Sequence, residues 1–278
     1  MESKLVSIVM PTYNRPNYLI ESVQSVLNQT YSNFELIICD DNSTICNIQA
    51  LLPNDKRIIY IKNENNIGQA KNVINGIKIA NGKFLCIFHD DDIMSSNYLE
   101  LFVNCFNNNE KVDFVFSDHY LTNEDGTINA ELSKTSSITY KRAEKQNGII
   151  KDVFKEAVYF QSIPLISLMW KKEKYFIPQK SENTGPAIDL WLRFLLYKNK
   201  LSGFYLSEIL NYYRQHVSSQ TSAGNGNYML NCLATTYKKM LSKDLFFRYW
   251  FIVFKRYFLY KTLLLKQSIK HNYNYFND

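Results

Sequence analysis

The sequence predicts an α/β protein: a mostly parallel sheet flanked by helices, with a helical extension at the C-terminal end. Three observations carry this expectation. Short apolar, β-branched runs alternate with stretches of helical spacing over roughly 115 residues, the pattern of a parallel sheet with crossover helices. Polar and acidic clusters follow several of those runs, at the strand ends where such sheets hold ligands. The chain has 278 residues, 46% of them hydrophobic and 21% charged, which suits a well-cored globular protein and argues against disorder.

The elements follow in order. Residues 5–10 (LVSIVM) form a short apolar run ended by Pro11, a buried strand. Leu19, Ile20, Val23, Val26 and Leu27 then take helical spacing. Residues 35–39 (ELIIC) predict a second strand, ending in the loop signal Asp40-Asp41-Asn42-Ser43, and residues 58–61 a third. Ala70, Val73, Ile74, Ile77 and Ala80 mark a helix closed by Asn81-Gly82. Residues 84–88 make a fourth strand, 98–106 a helix and 114–116 a further strand. Residues 121–148 are polar and aperiodic, an excursion. Residues 149–160 return to helical spacing, and 164–170 predict a strand. A loop at 181–186 precedes a helix bearing Leu190, Trp191, Phe194 and Leu195, and 204–214 predict a last strand. No internal repeat is present.

Composition excludes several function classes. Nine Gly and six Pro rule out collagen-like and low-complexity chains. Five cysteines (Cys39, Cys46, Cys86, Cys105 and Cys232) form no CxxC pair, and three sit in apolar runs. Free thiols in a reducing, cytoplasmic setting are expected, and the opening residues lack the pattern of a secretion leader. The net charge of +6 (32 minus 26) belongs to the tail: residues 228–278 hold nine Lys/Arg against two Asp/Glu. The body sums to −1 and offers no basic field to a polyanion, so nucleic acid is not an expected partner.

The densest chemical signal is Asp90-Asp91-Asp92, directly after an apolar strand. Adjacent carboxylates repel one another, and a hard divalent cation with phosphate oxygens completing its shell resolves that repulsion. The competing reading is a solvated acidic turn capping the next helix. Neither GxxxxGK[ST] nor GxGxxG occurs, which disfavours P-loop and dinucleotide sites.

With these residues in place, the chain resembles the inverting glycosyltransferases of family 2, of GT-A fold and the bacterial surface-glycan type. The resemblance rests on residues 7–14 (SIVMPTYN), 25–33 (SVLNQTYSN), 34–43 (FELIICDDNS), 66–82 (NIGQAKNVINGIKIANG) and 84–93 (FLCIFHDDDI), in the expected order and spacing. It implies a catalytic domain over residues 1–227, with a donor-binding half to about 118, an acceptor-side half beyond it, and a tail at 228–278. It also implies a nucleoside-diphosphate sugar donor, most simply a UDP-sugar, a glycan or lipid-linked acceptor, and a divalent metal (Mn or Mg). The donor's base and phosphates fall to Pro11, Thr12, Tyr13, Asp40, Asp41 and Lys71, with Asp90 facing the ribose. Lys71 stands where the family often has Arg, a weaker geometry for phosphate. In the family's Asp-x-Asp motif the first position is here His89, so Asp91 becomes the metal ligand and Asp92 the extra carboxylate, with His89 expected not to ligate. Residues 211–222 (NYYRQHVSSQTS) resemble the family's Arg-x-His segment, making Arg214 a diphosphate partner and His216 a third ligand.

The expected base departs from the pattern. The family carries an acidic pair six or seven residues before an Arg; before Arg193 those positions are Ala187 and Pro186. Asp189 is four before it, and two residues along a helix is about 200°, the opposite face. Either Asp189 is reached from an altered turn or another acid, such as Glu182, serves.

The tail is apolar but interrupted by Arg248, Lys255, Arg256 and Lys261. Arg248, Lys255, Lys266 and Lys270 fall within roughly 60° of one another on a helix. That describes an interfacial helix on an anionic membrane and a peripheral enzyme at its cytoplasmic face; the other reading is a helix packed on the body or on a second copy in a homo-oligomer. Two rival functions stand beside the transferase. A sugar nucleotidyltransferase should carry a Gly-rich basic loop, which residues 10–16 lack. A non-catalytic scaffold of a polysaccharide assembly is motivated by the missing acid pair.

Overall fold

The structure, a computed structural model, describes residues 4–175, 177, 184–216, 226–241, 245 and 247–275. An eight-stranded sheet organises it, in the order β3-β2-β1-β4-β7-β5-β8-β6. β1 (Val6–Thr12), β2 (Phe34–Asp40), β3 (Ile58–Lys62) and β4 (Phe84–Ile87) are parallel neighbours. Their crossovers carry α1 (Pro16–Leu27), the short α2 (Ile48–Leu51) and α3 (Gln69–Ile79). After α4 (Tyr98–Asn108), β5 (Phe114–Thr122) lies parallel to β8 (Gly203–Arg214). β7 (Leu168–Lys171) joins the two sets, antiparallel to both β4 and β5. The two-residue β6 (Gly148–Ile149) closes the far edge.

Strand alternation divides the core between the two faces. Ile8, Met10, Leu36, Ile38, Phe84 and Cys86 pack with α1 and α4. Val9, Ile37, Cys39, Leu85 and Ile87 pack with α3 and with α6 (Ile188–Lys198) on the other face. Buried on both sides, these strands are continuous apolar runs, which is why the sequence marks them so clearly. The contact of α3 is close: a Cβ at Gly76 would lie 2.5 Å from Val9 Cγ1 and 2.6 Å from Cys39 Sγ. Burial pushes the Cys39 thiol up to about 12 and Cys105 to about 11, so these cysteines are inert packing groups.

Three expectations need correction. Residues 121–148 contain a helix, α5 (Ala130–Thr139), with no buried residue and hence no apolar period to betray it. The helical spacing at 149–160 is realised as a single π turn, Lys155–Tyr159, after β6. The strand expected at 164–170 begins only at Leu168, behind a 3₁₀ turn at Leu165–Ser167.

The tail is helical, as α7 (Gly226–Met240) and α8 (Phe247–Tyr275). Its first half is seated in the core. Tyr237 is fully buried and stacks on Tyr260, and Val253 is buried with Tyr249. The Tyr249 ring stacks 4.1 Å from Phe154, and its hydroxyl donates to Asp152 Oδ2. On the opposite side of α8, Phe251, Phe254 and Phe258 face outward, and Leu259 and Leu263 are exposed further along the helix. Lys255 Nζ lies over the Phe251 ring at 4.6 Å. The side chains of Arg248, Lys266 and Lys270 lie outside the described residues. Among the described residues, no helix is long and apolar enough to cross a membrane.

Candidate active site

A cleft of about 570 Å³ opens beyond the carboxyl ends of β1, β2 and β4. The parallel register sets Thr12 beside Asp40, so the loops leaving these strands meet at one edge. The loop after β1 turns through Asn14 and that after β2 through Asn42, both with positive φ, a conformation asparagine accepts more readily than most residues.

Of the residues expected from the sequence, Pro11, Thr12, Tyr13, Asp41, Asp90, Asp91 and Asp189 line the cleft. Tyr13 is exposed there, an open aromatic face. Asp41 braces a neighbouring loop: Oδ1 accepts from Ile67 N and Asn63 Nδ2, and Oδ2 from Gly68 N, each at 2.9 Å. Gly68 starts α3 at φ +85°, where a side chain would be strained.

Asp40 and Lys71 are placed elsewhere. The Asp40 carboxylate is fully buried, accepting from Ser43 N and the Tyr60 hydroxyl at 2.7 Å each. It holds the loop rather than facing the cleft. Lys71 is exposed and absent from the lining; Gly68, Gln69 and Asn72 are the parts of its segment that reach the cleft.

The acidic run is the electrostatic centre. Asp90, Asp91 and Asp92 are all buried. Burial, and next the charge of Asp91, push Asp90 up to about 6, and the same two causes raise Asp92. Cationic and donor groups converge on the run. Arg15 Nη1 lies 2.6 Å from Asp91 Oδ2 and 3.5 Å from Asp90 Oδ1. His216 Nε2 lies 3.0 Å from the same Asp91 oxygen. Asp92 Oδ1 accepts from Arg214 N at 3.0 Å.

These residues fit a divalent cation. His89, Asp91 and Asp92 present ligand atoms within 4.8 Å of one another. Among the described residues, the buried His89 Nε2 and Asp92 Oδ2 have no hydrogen-bond partner. Carboxylate and imidazole are ligands that Mn and Mg accept, and the Arg15 guanidinium already stands in as a cation. Asp91 and His216 meet as expected, although Asp92 does not line the cleft.

Arg214 is turned away from the cleft. Its Nη2 pairs with Glu21 Oε2 at 2.5 Å, and its guanidinium lies 5.1 Å from the centre of the Tyr18 ring. Tyr18 in turn contacts the His216 ring, with centroids 4.6 Å apart, and donates its hydroxyl to Glu124. One face of α1 thus clamps the segment that follows β8.

Asp189 belongs to the first turn of α6, which starts at Ile188 after a 3₁₀ turn. That late start lets a residue only four before Arg193 face the cleft. Its Oδ1 is buried without a hydrogen-bond partner among the described residues. Arg193 sits below it, donating from Nε to the Asp189 carbonyl and from Nη1 to Ile163 O. Glu182 lies outside the described residues. A cleft residue that sequence reasoning missed is Arg15, one position beyond the matched run 7–14; its proximity to Asp91 spans 76 residues and has no local signal.

Comparison with known proteins agrees with this architecture. The chain is 35% identical over 199 residues to an uncharacterised glycosyltransferase of Methanocaldococcus jannaschii, covering 69% of this chain and 65% of that protein. It is 33% identical over 150 residues to the UDP-Glc:α-D-GlcNAc-diphosphoundecaprenol β-1,3-glucosyltransferase WfgD of Escherichia coli, covering 54% and 58%. The match thus spans less than two thirds of either relative. The fold is shared with the crystal structure of S. aureus TarS 1-349 in complex with UDP-GlcNAc, at a TM-score of 0.67 and 16% identity over 91% of this chain and 71% of that one. The arrangement is the GT-A fold. The model described as Glycosyl transferase family 2 matches residues 7–163, more than half of the chain, and the chain belongs to that family.

Proposed function

We propose that the chain moves a sugar from a nucleoside-diphosphate sugar, most simply a UDP-sugar, to a lipid-linked glycan acceptor with inversion at the anomeric carbon. The observation that carries this reading is that one cleft holds both the Asp90-Asp91 pair and the carboxylate of Asp189, whose buried Oδ1 has no hydrogen-bond partner among the described residues. Pro11, Thr12, Tyr13 and Asp41 border the space for the base, and Asp90 that for the ribose. A divalent cation held by Asp91 and His216, with Asp92 behind them, would neutralise the leaving diphosphate. Asp189 takes the proton of the acceptor hydroxyl, whose oxygen forms the new bond to the anomeric carbon as the bond to the diphosphate breaks. Arg214 reaches the diphosphate only by exchanging its partner Glu21.

Donor and acceptor class are supported by the relatives. The E. coli protein is named for UDP-Glc and a diphosphoundecaprenol acceptor, and the TarS structure contains UDP-GlcNAc. The outward aromatic face of α8 with Lys255 supports work at an anionic membrane surface. The test is a panel of nucleotide sugars scored first by thermal shift with and without Mn²⁺, then by donor hydrolysis. We expect UDP and Mn²⁺ together to raise Tm more than either alone, and one UDP-sugar to be hydrolysed only with metal. Binding without any turnover would favour the scaffold reading, and release of free nucleoside triphosphate from UDP-sugar and diphosphate would favour a nucleotidyltransferase.

A further inference from the structure

We infer that Arg15 is a tethered counter-cation that holds the metal position of the cleft until a diphosphate draws it away, coupling metal and donor binding. The inference rests on the nucleotide-sugar reading of the cleft and adds a residue that this reading does not use. Three consecutive buried carboxylates need positive charge nearby if the cleft is to persist without ligands. Arg15 Nη1 supplies it, bridging Asp91 Oδ2 at 2.6 Å and Asp90 Oδ1 at 3.5 Å from the position just before α1.

The bridge is incompatible with a metal on the same atom. Asp91 Oδ2 already accepts one short contact from Arg15 and one of 3.0 Å from His216. A divalent cation binds a carboxylate oxygen at about 2.0–2.6 Å, and at that distance the guanidinium would face it as a like charge. Arg15 must therefore leave Asp91 before the cation takes it. Its side chain is one-fifth exposed and lines the cleft, so it can move without crossing the core. A diphosphate gives it somewhere to go, because guanidinium pairs with phosphate oxygens in the same forked geometry as with carboxylate.

Coupling of this kind is reciprocal: the diphosphate raises metal affinity by the factor that metal raises diphosphate affinity. Removing the guanidinium should relieve the competition and so shrink that factor. The experiment titrates Mn²⁺ into the full chain by electron paramagnetic resonance, with and without UDP, for the native protein, Arg15→Gln and Arg15→Lys. We expect Arg15→Gln to bind Mn²⁺ alone about 10-fold more tightly than the native protein. UDP should then add less to that affinity, and metal-free UDP should bind more weakly. Arg15→Lys, which keeps a charge but loses the fork, should fall between the two. A melting curve of each variant checks folding; if Arg15→Gln does not fold, Arg15→Lys decides. Mn²⁺ affinity and UDP coupling unchanged in the folded variants would overturn the role of Arg15 while leaving the proposed function standing. Absence of Mn²⁺ binding in every protein, even with UDP, would overturn the metal reading and this inference with it.

Discussion

His216 Nε2 and Asp91 Oδ2, 125 residues apart in sequence, lie 3.0 Å apart across the seam between the two ends of the sheet. The contact joins the loop after β4 to the segment after β8. Asp91→Ala is therefore expected to abolish metal-dependent binding of UDP, and His216→Ala to weaken it roughly 10-fold or more, within the range for losing a metal-site partner. Isothermal titration with Mn²⁺ and UDP measures both. Undiminished, metal-stimulated binding in Asp91→Ala would remove that residue from the metal site.

Asp189→Asn should keep donor affinity and lose about 10³-fold in turnover, the usual scale of a general base. Asp189→Asn also removes the carboxylate whose charge supports the buried Arg193 guanidinium, so the melting temperature should fall while donor affinity, read on the folded protein, stays. Turnover close to normal would transfer the role to another acid, with Glu182 tested next.

The seat of α3 predicts a stability effect without chemistry. Gly76→Ala forces a Cβ to within 2.5 Å of Val9 Cγ1 on one side and 2.6 Å of Cys39 Sγ on the other. Overpacking of this sort costs about 1–3 kcal/mol. Chemical denaturation should show it as a lower midpoint, and an unchanged midpoint would mean that α3 is not seated this closely.

His119 carries a pH dependence. Burial, and then the Arg142 guanidinium, hold its imidazole down to about 4. The unfolded chain takes up this proton near the ordinary value of about 6.5, so between these values the unfolded state binds more protons. Stability is lost as pH falls through that window, by roughly 3 kcal/mol at most, and the loss levels off below about 4. Asp90, raised to about 6, works in the opposite direction over the same range. The measurement is thus a comparison: between pH 7 and 5 the native protein should lose more stability than His119→Gln. Equal losses would show that the imidazole does not carry this term.

The outward face of α8 predicts vesicle binding. Each cationic side chain near an anionic surface contributes about 1 kcal/mol, and inserted aromatics add a part that salt does not screen. Truncating the tail is a poor test, because Tyr237, Tyr249 and Val253 are buried in the core and would leave with it. Phe254→Asp with Phe258→Asp spares that seat. Sedimentation with anionic vesicles should fall for the double variant at unchanged melting temperature. If the native protein ignores anionic vesicles at low salt, the peripheral-membrane reading fails.

The donor-side strands were legible because residues buried on both faces leave unbroken apolar runs, and their polar ends follow at once in sequence. Asp91 and His216 were legible as residue types in recognisable local contexts. Arg15 was not, since a guanidinium that reaches a carboxylate 76 positions away leaves no spacing to read. Asp189 was legible as the candidate base, but which of two routes brings it to the cleft was not, because the start of α6 at Ile188 decides which way it faces. The helix α5 escaped notice for the opposite reason to the strands: nothing in it is buried. The outward direction of Arg214 depends on Glu21 and Tyr18 of α1, partners with no proximity in the chain.

The reversed strand β7 also sets the order in which the molecule can come together. β4 and β5 share no hydrogen bonds with each other; each pairs with residues 168–171, which are made long after both. A nascent chain of the first 122 residues would hold five strands in two sets with an open edge at β4, the kind of edge that invites pairing with other chains. Its acidic run would have Arg15 beside it, while the amide of Arg214 and the ring of His216 were still to come. Such distant pairings are slow to form. Refolding should therefore show early protection of β1 and β2 from hydrogen exchange, with β4 and the 89–92 loop protected only once β7 and β8 have docked.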